Sequence, residues 1–365
     1  MNPKALRFDR KKDADFFNTL RKRVNNYFTE NNISKNANTG MVVKTVVMLS
    51  VYFIPLIAMC AGLVTNNWLI FGLWALMGFG KAGIGLCIQH DAIHGAYSSS
   101  RKVNRWLGYT MNIIGANASI WRFQHNVLHH TYSNIHGQDE DIDSPPILRF
   151  HPHQPRKPIH RFQHIYVWFL YSLATISWIT TKDFKNLFGY KKKGYVKDQK
   201  EFNKELTQLI AWKATYYVFL LVLPLILIPA PTWLIVVGFL TMHLITGLIL
   251  TTIFQIAHVM PDMEYPLPNE KDEIENNWAV HQLITTTNFG TGSRLLTWLV
   301  GGLNHQVEHH LFSNICHVHY PKLSVIVKDT ANEYGIPYHS IKTWGGALKA
   351  HTQILRELGT KDMVA

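Results

Sequence analysis

The sequence predicts an all-α membrane protein, with four transmembrane helices in two hairpins and a cytoplasmic helical cap. Three observations lead there. Apolar residues make up 47% of the 365, and they gather into four runs near the roughly 17–25 residues that span a bilayer. The runs pair across two short loops that carry no charge. Lys and Arg crowd into the remaining segments, which the positive-inside rule keeps in the cytoplasm together with both termini.

Taken in order, residues 13–30 come first. Phe16, Phe17, Leu20, Val24, Tyr27 and Phe28 share a helical face, with Arg21, Lys22 and Arg23 between them. Such a helix lies on a membrane or packs against the protein's own cytoplasmic part. The spans follow at about Val42–Val64, Trp68–Ile88, Leu206–Ile228 and Trp233–Ala257. Thr65-Asn66-Asn67 joins the first two and Pro229-Ala230-Pro231-Thr232 the last two, loops short enough to make each pair antiparallel. A fifth apolar stretch, Ile165–Thr181, reads as interfacial or buried, and Trp106–Trp121 as a helix at the membrane surface. The chain divides into an N-terminal cytoplasmic segment (1–40), a membrane domain (41–320) and a C-terminal helical region (321–365). The charged start through Lys12 does not resemble a cleaved signal peptide.

A formal charge of +12 suits a membrane protein, and no nucleic-acid motif accompanies it, so nucleic acid is not an expected partner. Cys60, Cys87 and Cys316 are odd in number and widely spaced, which argues against a disulfide framework or a thiolate zinc site. Against them stand 20 histidines. Imidazole is therefore the expected metal ligand.

The histidines cluster. His90 and His94 form the first group, His125, His129 and His130 the second, and His305, His309 and His310 the third; His258 ends the fourth span. Residues four apart share a helix face, so His90 with His94, His125 with His129 and His305 with His309 each suit one metal. Adjacent imidazoles, about 100° apart on a helix, can serve two metals. All these segments reach one membrane face. Eight or nine imidazoles exceed a closed four-ligand zinc site and suggest two metals, with redox iron fitting better than hydrolytic zinc. The His-Glu-x-x-His pattern of zinc peptidases is missing. Asp91, Asn126, Asp143 and Glu308 could orient the rings from behind. Isolated histidines, among them His136, His151 and His243, read as structural or surface residues.

These boxes and their surroundings resemble the membrane fatty acid desaturases: His90-Asp91-Ala92-Ile93-His94-Gly95, then His125 through His130 with Thr131-Tyr132-Ser133-Asn134. Gly301-Gly302-Leu303-Asn304, Leu311-Phe312 and His317 with Tyr320-Pro321 complete the likeness over about residues 40–330. The resemblance implies two irons held by the nine histidines in the cap, O2 as co-substrate, and a cis double bond placed in an acyl chain. That chain would be carried by phospholipid, coenzyme A or acyl carrier protein. Gln306-x-x-His309-His310 is similar to the front-end subgroup, yet His305 precedes the glutamine. Either His305 is the ligand or Gln306 lies near the iron; we read His305 as the ligand with Gln306 behind it. No His-Pro-Gly-Gly motif of a fused cytochrome occurs, so the electrons are expected from a separate ferredoxin or b-type cytochrome, steered by the basic surface. A hydroxylase or acetylenase on the same scaffold is the nearest alternative. A histidine-rich metal transporter is the alternative of another class, but it would need ligands deep in the spans, where only His243 lies.

Overall fold

The computed structural model describes residues 6–143 and 145–361. The outer ends of the two terminal segments, and Ser144 of the Pro-rich stretch, lie outside the described residues. Asparagine side chains start the first two long helices. Asn38 Oδ1 accepts from Met41 N and Asn66 Oδ1 from Leu69 N, both at 3.0 Å, so each satisfies an amide that a helix start leaves orphaned. Thr39–Cys60 stops before its apolar run does, because Gly62 turns to φ +72° and ends the helix. Asn67–Ile93 runs past its expected end and so carries His90 on its last turn. Gln199–Leu227 starts earlier than its apolar run, its polar first turn capped by Asp198 on Glu201 N at 2.8 Å. The fourth, Thr232–His258, ends on a histidine. Among the described residues these four helices are long and apolar enough to cross a membrane.

Asn67–Ile93 is the central one. It packs against both Thr39–Cys60 and Thr232–His258, and 61% of its most apolar window is buried, against 28% for Gln199–Leu227. Missing side chains allow the approach: a Cβ on Gly80 would meet the Val51 and Tyr52 backbone at 2.8–2.9 Å, and one on Gly78 the Met242 carbonyl at 2.9 Å. The stretch 165–181 is not one of the four. It breaks into Gln163–Ser172, Ala174–Ser177 and a π turn at Trp178–Lys182, and it packs along Thr232–His258. There Gly247 lies so close that a Cβ would overlap the Ser172 carbonyl. Residues 101–122 likewise form short helices, Arg101–Gly108, Thr110–Ile113 and Ala118–Arg122.

The amphipathic helix Ala14–Glu30 packs on the protein. Phe16, Leu20, Val24 and Phe28 join a cluster with Leu283, Val307 and Leu323, and Arg23 pairs with Glu333 at 2.6 Å. Two short parallel strand pairs tie distant segments: Arg7–Phe8 with Glu273–Ile274, and Asn288–Phe289 with Ser340–Ile341.

Gly247→Ala should force the helix Gln163–Ser172 away and cost about 1–3 kcal/mol, as overpacking does. Gly72→Ala, where a Cβ meets nothing within 4 Å, should leave stability unchanged. Thermal unfolding in detergent compares the two. Equal melting temperatures would show that the contact does not matter.

Candidate metal centre

Each box is delivered by a local deformation or a helix end. A π turn at Ile84–Gln89 leads into His90, and another at Phe123–His129 carries His125 and His129; such bulges re-aim side chains at functional sites. His258 closes the fourth long helix, and the short helix Gln306–Leu311 bears His309 and His310. Eight of the predicted histidines converge in a buried space.

They sort into two groups. Ligand atoms of His90, His94, His125 and His309 lie within 4.8 Å of one another, as do those of His129, His258 and His310. His130 stands between: its Nε2 is 2.9 Å from His309 Nε2 and 3.3 Å from His125 Nε2, while its ring stacks on His310 at 4.5 Å. The pairing of His90 with His94 follows the four-residue spacing. His125 and His129 instead fall mainly into different groups, because the turn between them is π rather than α. Of the doubled residues, His309 lies in one group and His310 in the other, while His129 joins the second group and His130 stands between.

His305 departs from the expectation. It joins neither group; its Nδ1 lies 3.7 Å from Glu308. The helix begins at Gln306, and His305 has ψ 62°, so the helical-face argument did not apply to it. Gln306 is buried, and its Nε2 has no partner among the described residues. Asp143 also lies elsewhere, 2.9 Å from His136. Asn126 donates to the Ile93 carbonyl at 3.2 Å and so ties the second box to the first. Glu308 accepts from Asn288 and Tyr338 at 2.8 and 2.9 Å. Asp91 accepts from His317 Nδ1 at 2.9 Å, and His317 Nε2 meets Lys44 Nζ at 2.9 Å.

The supporting groups that spacing could not reveal lie on the far side of the rings. His129 Nδ1 donates to Asp139 at 3.0 Å, His258 Nδ1 to the Thr285 carbonyl at 3.1 Å and His310 Nδ1 to Gln282 Oε1 at 2.8 Å. His309 Nδ1 lies 3.3 Å from the Tyr320 hydroxyl, and Asp141 approaches both His125 and His129. The one sequence signal for the carboxylates was the acidic run 139–143, which begins nine residues beyond the second box. With Nδ1 committed outward, the Nε2 atoms of these rings point inward.

That interior fits a metal. Buried Nε2 atoms of His94, His258 and His310 have no partner among the described residues, and a buried polar atom normally has one. His90 Nε2 and His125 Nε2 are 3.2 Å apart. Two nitrogens bound to one metal at about 2.0–2.1 Å sit about 3.0–3.4 Å apart. Burial, and then the neighbouring imidazoles, hold His125, His130, His309 and His310 well below the ordinary histidine range, so their lone pairs stay free at neutral pH. His129 differs: burial lowers it, but the Asp139 carboxylate outweighs this and raises it to about 9.

Trp121 stacks on His125 at 4.3 Å, and Phe254 lies 5.9 Å from the same ring. Both line a narrow cavity of about 20 Å³ that runs along the second long helix past Gln89 and Gly85 to Lys81. A larger apolar groove of about 710 Å³ lies among the first, second and fourth long helices. Neither lining contains a histidine of the clusters, and of the two only the narrow cavity is lined by Trp121 and Phe254, the aromatics beside His125.

Comparison with known proteins agrees with this geometry. The fatty acid desaturase family model matches residues 66–342. The chain is 34% identical to an sn-1 linoleoyl-lipid 6-desaturase of Synechocystis sp., over 98% of this chain and 99% of that protein. It is 34% identical to an acyl-lipid (8-3)-desaturase of Physcomitrium patens, over 97% and 74%, and 30% identical to one from Mortierella alpina, over 95% and 78%. The chain belongs to the membrane fatty acid desaturase family and is an enzyme that desaturates fatty acids.

Proposed function

We propose that the enzyme uses two irons and O2 to place a cis double bond in a lipid-linked acyl chain. The observation that carries this is the pair of buried imidazole groups with Nε2 atoms turned inward. His90, His94, His125 and His309 would hold one iron, His129, His258 and His310 the other, and His130 lies between them. Bound iron supplies the oxidising power, from O2 and two electrons of a separate donor, that removing hydrogen from an unactivated methylene requires. The balance is one methylene pair, O2, two electrons and two protons giving one alkene and two waters.

The protein's own part is positioning. Asp139, Thr285, Gln282 and Tyr320 fix the ring tautomers and directions. Trp121, Phe254 and Leu250 give the approach an apolar wall, which excludes water from the reacting carbon. The cavity is too narrow for a chain as it stands, so the acyl group displaces side chains when it enters. The names of the relatives support a lipid-linked substrate, and that of the Synechocystis relative a linoleoyl chain with the new double bond at carbon 6. Both termini and the histidine boxes face the cytoplasm in this reading, where the basic segments meet an acidic electron donor.

Lipids from a host fed linoleate and expressing the chain should contain a new acyl species with one more double bond, seen by gas chromatography with mass spectrometry. His309→Ala should abolish it. A variant that retains activity would remove these histidines from the reaction. For Asp139→Asn, about a 10–100-fold loss of rate or iron affinity is expected, the usual effect of removing a group that supports a ligand. Iron per chain, measured beside turnover, shows which is lost; unchanged values for both would remove Asp139 from the centre.

A further inference from the structure

Away from the eight converging histidines, two others gather with an aspartate on the loop that follows the second box and on the segment beyond it. His136 Nδ1 is 2.9 Å from Asp143 Oδ1, and His151 Nε2 approaches the same oxygen at 3.9 Å. The two imidazoles are 4.5 Å apart between centroids. Ligand atoms of all three residues lie within 4.8 Å of one another. We propose that His136, Asp143 and His151 form a peripheral site for a divalent transition metal, separate from the catalytic centre.

His151 is the reason to read more than an ion pair here. It is 1% exposed, its Nδ1 has no partner among the described residues, and its Nε2 is too far from Asp143 for a hydrogen bond. A buried nitrogen without a partner is costly, and the second nitrogen, Nε2, faces Asp143 without a hydrogen bond to it. A cation between the rings and the carboxylate would take up that Nε2. Burial, then His136, His153 and Arg149, push His151 down to about 3, so it offers a lone pair rather than a proton. Arg149 works against a cation, but its guanidinium donates to the carbonyls of Pro152, Gln154 and Leu358. His136 is half exposed, with 47% of its side chain accessible, and gives a metal a way in. Two imidazoles and one carboxylate suit zinc-, cobalt- or iron-like divalent ions better than calcium or magnesium.

The placement ties the two metal regions together. Asp139 and Asp141 reach the central histidines, while Asp143, two residues on, turns to His136 and His151. A metal on Asp143 would therefore brace the loop that holds His129 and His125 in position.

The test uses the full chain, free of any histidine tag and already loaded with iron, titrated with Co2+ and followed by visible absorption and metal analysis. About one further equivalent of cobalt should bind per chain. His136→Ala and Asp143→Asn should each weaken that binding at least about tenfold while the iron content stays as in the parent. Cobalt uptake by both variants equal to the parent's, or no uptake by the parent, would overturn the proposal. The test rests on iron filling the central histidines; cobalt bound there instead is not lost in His136→Ala or Asp143→Asn, so failure of that reading is told apart from failure of this one.

Discussion

The structure depends on holding many imidazole lone pairs against one another in a place water does not reach. His130 Nε2 lies 2.9 Å from His309 Nε2, and His90 Nε2 lies 3.2 Å from His125 Nε2. At these distances each pair either shares a proton or turns two lone pairs on one another, and the second arrangement repels unless a positive charge sits among them. A metal bound there would couple its affinity to folding, because the unfolded chain has no such assembly. Much of the architecture serves this convergence. The second and fourth long helices end at the cluster, π turns re-aim two of the boxes, and the outer nitrogens are tied to carboxylates, carbonyls and amides from segments far apart in sequence.

Much of this was legible in the sequence because it is local. Apolar runs gave the four long helices to within a few residues, and the ends shifted where a capping residue or a glycine intervened, as at Asp198 and Gly62. The histidine spacings pointed to seven of the eight histidines that converge, and the end of the fourth span to His258. They did not give the partition between the two groups, which depends on whether a turn is α or π, and the amino-acid pattern at 123–129 does not signal the difference. His305 was misplaced for a related reason: the helix starts one residue later than the argument assumed. Supports such as Gln282 and Thr285 come from remote loops, where spacing carries no information about contact.

The long helices also bury three lysines, two of them against a histidine. Lys44 Nζ reaches His317 at 2.9 Å, and Lys81 Nζ reaches Tyr216 at 3.1 Å and His243 at 3.2 Å. A buried ammonium is costly without partners, so each contact fixes the rotation of its helix about its axis. Lys44 thereby connects the first long helix, through His317 and Asp91, to the residue beside His90. The first box is thus held from both its own helix and its neighbour.

X-ray absorption at the iron edge, with metal analysis of the purified full chain, tests whether the converging imidazoles hold iron. About two irons per chain are expected in the histidine clusters, each with nitrogen neighbours at about 2.0–2.1 Å, the usual imidazole distance. Zinc in place of iron, or an active enzyme whose iron lacks imidazole ligands, would contradict it.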